Sequence, residues 1–549
     1  MDKYAKVVVI GLDGADWRLL NPWLRNGELP TLARLVSEGT AGKLRSTIRP
    51  ESSVAWSSFS TGVNPGKHGV FGFVERAAKG YSFRLANASS IRARRFWDLL
   101  GEQGLKVGML NIPFTYPPSP VNGFMVAGML TPGTDVTFTY PKELQQQLLG
   151  RFESYLLDAG DSAEEKSALV EHVCAYTRQQ RETALLLLQE QPWDCFAMVF
   201  TGPDRLQHFL WADLDPQHPL HNPETAHRFD HALLEHYQAL DGAIARILDG
   251  LPSDTLVLLM SDHGFNGCAR KFYANQWLRN RGLLKLSERG NWQSGAASLL
   301  SRLGSVRWLR RLKRAIFPDR WSSTDLRSVM FTQAIDWSRT KAYFGLDGGV
   351  RINLQGREPE GIVHPDKYDA LRQELRQALL AVTHPETKQP PLSNVFLREE
   401  VYHGRFAGRA PDLILEPQRD NRAAAHNFVL DSSLKTDRAS PFGSSAPRSG
   451  NHTLDGILIA WGAGVVRGGQ IQNAQIVDLA PTVLTALGVA VPEYMDGRLM
   501  SEIFSPGCAP IPQHVAESKP AVPDALERAF SLEEETAVES RLRGLGYLD

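Results

Sequence analysis

The sequence predicts a layered α/β/α sandwich with a mostly parallel central sheet. Two observations carry that reading. Short, continuous apolar runs bounded by turn residues recur along the chain: Lys6–Asp13 (KVVVIGLD), Cys195–Asp204 (CFAMVFTGPD), Thr255–Asp262 (TLVLLMSD) and Ile457–Gly462 (ILIAWG). Runs of this kind fit strands buried on both faces. Helix-period stretches lie between them, among them Ala163–Gln191 and His227–Leu251. Alternating strands and helices give a parallel sheet covered by helices on each side. In such sheets ligands gather beyond the carboxyl ends of the strands. Asp13, Asp204 and Asp262 all stand at that end of a run.

The remaining segments fill out one large catalytic unit, residues 1–505. Leu284 to about Ser328 reads as an inserted cap segment. Within it Leu299, Leu303, Val306, Leu309, Leu312 and Ile316 follow helical spacing, with Arg302, Arg307, Arg310, Arg311, Lys313 and Arg314 on the other face. A basic amphipathic helix over 299–316 offers a peripheral contact to an anionic membrane or a border to an anionic substrate; packing on the core with a solvated basic face is the simpler expectation. Trp292, Trp308 and Trp321 add aromatic surface to the same insertion. Gly356–Val363 is rich in turn residues, and Pro365–Val382 reads as a helix. Residues 506–549 read as a Pro-rich linker followed by a charged helix, Ser531–Leu545, packed back on the body or capping a partner surface.

Composition excludes several classes. Across 549 residues, 60 Lys+Arg nearly balance 61 Asp+Glu, so no global charge steers the chain to nucleic acid. Cys174, Cys195, Cys268 and Cys508 are widely spaced and form neither a Cys-x-x-Cys pair nor a secreted framework. The N-terminus runs straight into a strand, with no signal-peptide pattern, and no stretch reaches the roughly 18 apolar residues of a membrane span. The expected compartment is the cytoplasm.

Seven residues carry the chemistry. Asp13 ends the first run, and Asp262-His263 end the third within Ser-Asp-His-Gly. Ionisable neighbours at a buried strand end are costly without partners. Asp204 and His208 form Asp-x-x-x-His, a spacing that puts both side chains on one helix face. Ser52 precedes a helix-like stretch, and His452 lies shortly before the fourth run. Taken singly, Asp13 reads equally as a turn residue, Ser52 as a helix cap, and His452 as a loop histidine. Together, three Asp and three His divide naturally between two divalent metals, and their oxygen and nitrogen donors suit zinc or manganese. A serine oxygen beside such a metal loses its proton more readily and becomes a nucleophile toward phosphorus.

With these residues placed, the chain resembles the alkaline phosphatase superfamily, in particular the type I phosphodiesterase/nucleotide pyrophosphatase-like branch. The resemblance runs from Val7 to about Ile503. It rests on GLDGAD at 11–16, SSVAWSSFSTGVNPGKHG at 52–69, TGPDRLQH at 201–208, SDHG at 261–264 and GNHTLDGILIAWG at 450–462, with NIPFTYPP at 111–118, GREPEGIV at 356–363 and DLAPTVL at 478–484 alongside. The resemblance implies that Asp13, Ser52, Asp262 and His263 hold the metal beside the nucleophile. Asp204, His208 and His452 then hold the metal beside the leaving group. Ser52 would attack phosphorus and form a phosphoseryl intermediate, released by metal-activated water. Two zinc ions are the usual pair, and some relatives use manganese.

Two departures matter. The nucleotide pyrophosphatases carry Thr at the nucleophile position, where this chain has Ser52, with Ser53 adjoining it. They also place an Asn soon after His-Gly, where this chain reads Val70-Phe71-Gly72-Phe73, which leaves the phosphate contact to Asn111 or Lys67. His68 is expected to hydrogen-bond within its turn, with support of a residue in the site as the alternative. The sulfatase pattern of a modifiable residue followed by Pro and Arg is missing at Ser52–Trp56. The expected activity is hydrolysis of a small phosphate ester, a diester foremost. A phosphomonoesterase or phosphotransferase on the same scaffold, or a binding protein that kept its metals, are the alternatives.

Overall fold

The computed structural model describes residues 3–77, 80–160, 165–287, 323–419, 423–434, 439–516 and 530–544. Nine strands form the central sheet: β1 (Lys6–Leu12), β2 (Thr40–Arg45), β3 (Val107–Leu110), β4 (Gly123–Val126), β5 (Thr139–Tyr140), β6 (Cys195–Phe200), β7 (Thr255–Met260), β8 (Asp455–Trp461) and β9 (Gly469–Gln475). Their order is β9-β2-β8-β7-β1-β6-β3-β4-β5. Pairing is parallel from β7 through β1, β6 and β3 to β4, and again between β2 and β9. Only β8 and β5 among these nine run against the rest. The mostly parallel sheet expected from the sequence is therefore present.

Period-two alternation sends each strand's side chains into two cores. Val8, Ile10 and Leu12 of β1 join Phe196 and Met198 of β6 and Val257 and Leu259 of β7 on one face. Val7 and Val9 join Ala197, Val199, Leu256 and Leu258 on the other. Burying each large side chain of this kind contributes about 1.5–3 kcal/mol before entropy is charged against it, so both faces need cover. The first is covered by Pro30–Glu38, Lys166–Glu190 and Ala232–Asp249, through Leu32, Leu187 and Ile244. The second is covered by α1 (Ser52–Thr61), Phe96–Glu102 and Leu479–Ala486, through Phe59, Trp97 and Val483. The sandwich is α/β/α.

A second, antiparallel sheet was not expected from the sequence. It joins Ala342–Phe344, Gly349–Ile352, Leu413–Pro417 and Leu392–Leu397. Its strands are only three to six residues long, too short to give a decisive alternation. The helix expected at 365–382 spans Pro365–Leu380, with Pro at its start. The terminal helix spans Leu532–Gly544 and does pack back: Arg541 donates to the carbonyls of Thr131 and Pro132, and Phe530 stacks on Tyr116. The basic segment 299–316, with Trp292, Trp308 and Trp321, lies outside the described residues. No described helix is long and apolar enough to cross a membrane.

Candidate active site

Neighbouring strands β7, β1 and β6 end at one level, since Gly11 pairs with Met260 and Leu12 with Phe200. The chain leaves each strand end carrying a ligand. Asp13 follows β1, with its N–H on the Phe200 carbonyl at 3.0 Å. Asp262 and His263 follow β7. After β6 the helix α2 (Gly202–Leu214) starts at once, with Pro203 in its first turn, and sets Asp204 and His208 one turn apart. His452 arrives by a different route. The strand Gly450–Thr453 pairs antiparallel with Gly264–Gly267, Phe265 opposite His452. β8 then runs antiparallel to β7, so the approach to its amino end lies where the parallel strands finish.

The ligand atoms converge as two triads, Asp13/Asp262/His263 and Asp204/His208/His452, each with its ligand atoms within 4.8 Å of one another. His263 Nε2 lies 3.3 Å from Asp262 and 3.6 Å from Asp13. His208 and His452 Nε2 lie 3.3 and 3.0 Å from Asp204 Oδ1. The triads adjoin: His263 Nε2 is 4.0 Å from the same Asp204 oxygen, and the His263 and His452 rings stack at 3.6 Å. Each imidazole turns Nδ1 to a backbone carbonyl: His208 to Gly450, His263 to Gly264 and His452 to Pro50. For His263 and His452 that contact favours the proton on Nδ1 and leaves the Nε2 lone pair facing inward, the arrangement typical of metal-ligating histidines; His208 also has the Arg448 guanidinium 2.7 Å from Nδ1 and 3.1 Å from Nε2.

Ser52 heads α1, and its Oγ lies 3.4 Å from His263 Nε2. The partial positive charge of a helix N-terminus favours an oxyanion there. Ser53 Oγ is buried without a hydrogen-bond partner among the described residues. Trp56, on the next turn, donates from Nε1 to Asp13 Oδ2 at 3.3 Å. It reaches that far because position 11 is glycine: a Cβ there would stand 2.6 Å from the Trp56 ring. Gly14, at φ +71°, turns its N–H onto Asp262 Oδ1 at 3.3 Å. Arg205 donates to Asp204 Oδ2 at 3.0 Å and so orients that carboxylate. Trp56 and Arg205 were not singled out in the sequence, although Arg205 adjoins a ligand within TGPDRLQH.

The residues present fit two divalent cations. All seven site residues are at most 5 % exposed. Asp13 Oδ1 and Asp262 Oδ2 are buried with no hydrogen-bond partner among the described residues, and a buried carboxylate oxygen is costly without one. Burial, the neighbouring Asp262 and Asp204 push the Asp13 carboxyl well above its ordinary range, and burial raises Asp262 likewise. Burial brings His208, His263 and His452 down to about 4, so the imidazoles stay neutral and ready to bind. The donors are three carboxylates and three imidazoles; the buried Cys268 sulfur contacts the Arg270 and Asn427 carbonyls instead.

Of the other residues read from the sequence, Asn111 stands at the carboxyl end of β3 with its Nδ2 buried and without a hydrogen-bond partner among the described residues. Lys67 is turned away, its Nζ taken by Asp496 and the Tyr494 carbonyl, so the phosphate contact entertained for it is not what its geometry offers. The basic side chain follows Pro65-Gly66 around a tight turn that faces the Asp496 loop. His68 accepts from the Val70 N–H at Nδ1 and meets Ser58 Oγ at Nε2, the turn role expected of it.

These groups give the site a pH dependence. The three histidines sit near 4 against 6.5 for a free imidazole, so below pH 6.5 the unfolded chain binds protons that the folded chain refuses. Their stabilisation is complete above pH 6.5 and is lost on the way down to about 4. Asp13 and Asp262 act oppositely: their raised values favour the metal-free fold at low pH and disfavour it once the pH rises through them. Metal offsets that second effect. Adding zinc to chelator-treated protein at pH 7 is expected to raise stability by about 2.7 kcal/mol at a hundredfold excess over Kd. The gain should shrink as the pH falls and the carboxyls take protons in place of metal. Thermal unfolding checks this; a Tm indifferent to zinc at pH 7 would contradict a metal centre.

Comparison with known proteins identifies the family and the fold. The family model of type I phosphodiesterase / nucleotide pyrophosphatase matches residues 7–427, a span that holds every site residue except His452. No curated protein matches. Among solved structures, phosphonoacetate hydrolase from Sinorhizobium meliloti 1021 in complex with phosphonoformate superimposes at a TM-score of 0.52 with 15% identity, over 88% of this chain and 96% of that one. Human ectonucleotide pyrophosphatase / phosphodiesterase 5 gives a TM-score of 0.43 at 14% identity, over 88% and 96%. The chain belongs to the type I phosphodiesterase/nucleotide pyrophosphatase family of divalent-metal-dependent enzymes, on an alkaline phosphatase-like fold.

Proposed function

We propose that the protein is a phosphodiesterase of two-metal type in which Ser52 attacks the phosphorus of a small phosphate ester. The observation that carries this reading is the placement of Ser52 Oγ at a helix N-terminus, 3.4 Å from His263 Nε2 and beside two buried Asp/His triads. Asp13, Asp262 and His263 would hold one cation, and Asp204, His208 and His452 the other. When bound, the two cations supply Lewis acidity and hold the oxygens of an in-line displacement. The oxygen and nitrogen donor set favours zinc, with manganese as the second choice.

The chain's own residues do the rest. Ser52 Oγ forms a bond to phosphorus as the bond to the leaving alkoxide breaks, and the alcohol departs with a proton. Water then cleaves the Ser52–phosphorus bond, releasing a phosphomonoester and restoring the hydroxyl. The N-terminal peptides of α1 favour the charge developing at Oγ. Trp56 and the Gly14 N–H hold Asp13 and Asp262 in place, and Arg205 does so for Asp204.

A phosphomonoesterase is the second reading, favoured by the guanidinium of Arg448 beside His208, since a dianionic monoester needs extra cationic neighbours. Elemental analysis together with assays of bis-p-nitrophenyl phosphate and p-nitrophenyl phosphate, with zinc or manganese added, separates the readings. About two metals per chain and faster diester cleavage support the phosphodiesterase. Faster monoester cleavage promotes the second reading. Bound metal with no turnover of either would leave a metal-retaining binding protein.

A further inference from the structure

One short turn sets both Ser52 and His452. The chain leaves β2 and turns at Arg49-Pro50-Glu51 before α1 begins. The Glu51 N–H closes the turn on the Arg49 carbonyl at 2.8 Å, and Thr47 Oγ1 donates to the same oxygen at 3.1 Å. The Pro50 carbonyl accepts from His452 Nδ1 at 2.7 Å, so the turn aims one ligand of the Asp204/His208/His452 triad. Two residues on, Ser52 Oγ stands 3.4 Å from His263 Nε2, beside the other triad. A tilt of this turn moves the nucleophile and a ligand of the second triad together.

The turn is strained. Arg49 has φ +61°, left-handed backbone that a residue with a Cβ keeps only where its surroundings enforce it. Its own side chain supplies that enforcement. The guanidinium donates to the Phe71 carbonyl at 3.2 Å and to the Asp347 carbonyl, and pairs with Glu51 Oε2 at 2.6 Å. Glu51 Oε1 accepts from the Phe73 N–H at 3.2 Å, which closes a ring of contacts around the turn. Asp347 belongs to the hairpin turn between Ala342–Phe344 and Gly349–Ile352, in the small antiparallel sheet. That hairpin is itself braced, since Arg351 Nε donates to the Asp347 carboxylate at 3.0 Å. Gly348 makes the approach possible: a Cβ there would collide with the Arg49 guanidinium. A planar guanidinium holds several acceptors in fixed directions, which a lysine amine does not.

We propose that Arg49 is a positioning residue: its guanidinium ties the turn before α1 to the hairpin of the small sheet, and so aligns Ser52 with the triad that holds His452. The inference rests on the hydrolase reading above and deepens it. The small sheet brings no ligand to either triad, yet through one side chain it sets the geometry of attack. In-line displacement needs the nucleophile, phosphorus and leaving oxygen on one line. A misplacement on the order of 1 Å costs about 100-fold in rate.

The test uses the full, metal-loaded protein with zinc buffered in excess and bis-p-nitrophenyl phosphate as substrate. Arg49→Gly tolerates the left-handed backbone but removes the guanidinium. It is expected to lose kcat about 100-fold, with KM changed by less than about threefold and both metals retained. Arg49→Lys, which keeps the charge, should recover part of that loss. Gly348→Ala pushes the guanidinium aside from the far end of the contact and leaves residue 49 unaltered. It should lower kcat about tenfold in the wild-type background and by less than about twofold in Arg49→Gly, because both changes act through one contact. A kcat in Arg49→Gly within about threefold of wild type, or penalties that multiply in the double variant, would overturn the positioning role while leaving the hydrolase reading intact. Should Arg49→Gly fail to fold, an unchanged kcat in Gly348→Ala would overturn the role as well. Failure of the wild-type protein to cleave any ester would overturn the hydrolase reading, and this inference with it.

Discussion

Ser52→Ala is expected to cut kcat for diester cleavage on the order of 10⁴-fold or more, an effect worth roughly 5 kcal/mol of transition-state stabilisation. The variant should keep its fold and its metals. Ser52 Oγ makes one long contact, to His263 Nε2 at 3.4 Å, and the triads are complete without it. Replacing a hydroxyl by hydrogen at the start of a helix leaves the backbone unchanged. Ser53→Ala serves as the control: its Oγ is buried without a hydrogen-bond partner among the described residues, and its loss should cost activity little. Steady-state turnover of both variants, alongside their metal content and Tm, separates loss of the nucleophile from loss of structure. Comparable activity in Ser52→Ala and the wild type would remove Ser52 from the role given to it.

Asp262→Asn is expected to reduce turnover by a similar or larger factor, for a different reason. The substitution keeps size and shape but removes the charge that a hard cation requires. Asp262 supplies an uncommitted oxygen to the Asp13/Asp262/His263 triad while its other oxygen accepts from Gly14. Metal content should fall by about one ion per chain, the Asp204/His208/His452 triad keeping its own. The metal-free variant should be no less stable than metal-free wild type, because Asn takes one charge out of a site where burial, and then the Asp262 charge, hold Asp13 above its ordinary range, and where burial raises Asp262 itself. Elemental analysis and unfolding with and without chelator check both halves. A variant that binds as much metal as wild type and turns over normally would show that Asp262 is not a ligand.

The site was legible in the sequence to the extent that secondary structure places it. Runs such as TLVLLM can be buried on both faces only as central strands, and a charged residue at the end of such a strand has few tolerable explanations. Asp13, Asp204 and Asp262 followed from that, and His208 and His263 from local spacing. His452 was harder, because its strand runs antiparallel to its neighbour and local periodicity says nothing of direction. The small sheet was not legible: Ala342–Phe344 and Gly349–Ile352 are too short to show a period. Nor was the meeting of Arg419 and Arg448 at one pocket, because tertiary packing alone brings them together. Lys67 misled for a related reason. Its place beside the His-Gly motif is close in sequence, but the turn at Pro65–His68 directs its amine to Asp496.

The central claim is that the two triads form one dinuclear centre facing Ser52. Crystals grown with zinc and measured at the zinc absorption edge test it most directly. The account predicts two anomalous peaks, one among Asp13, Asp262 and His263 and one among Asp204, His208 and His452, both within reach of a phosphoryl group attached at Ser52. Zinc bound elsewhere in the molecule, with neither triad occupied, would contradict it.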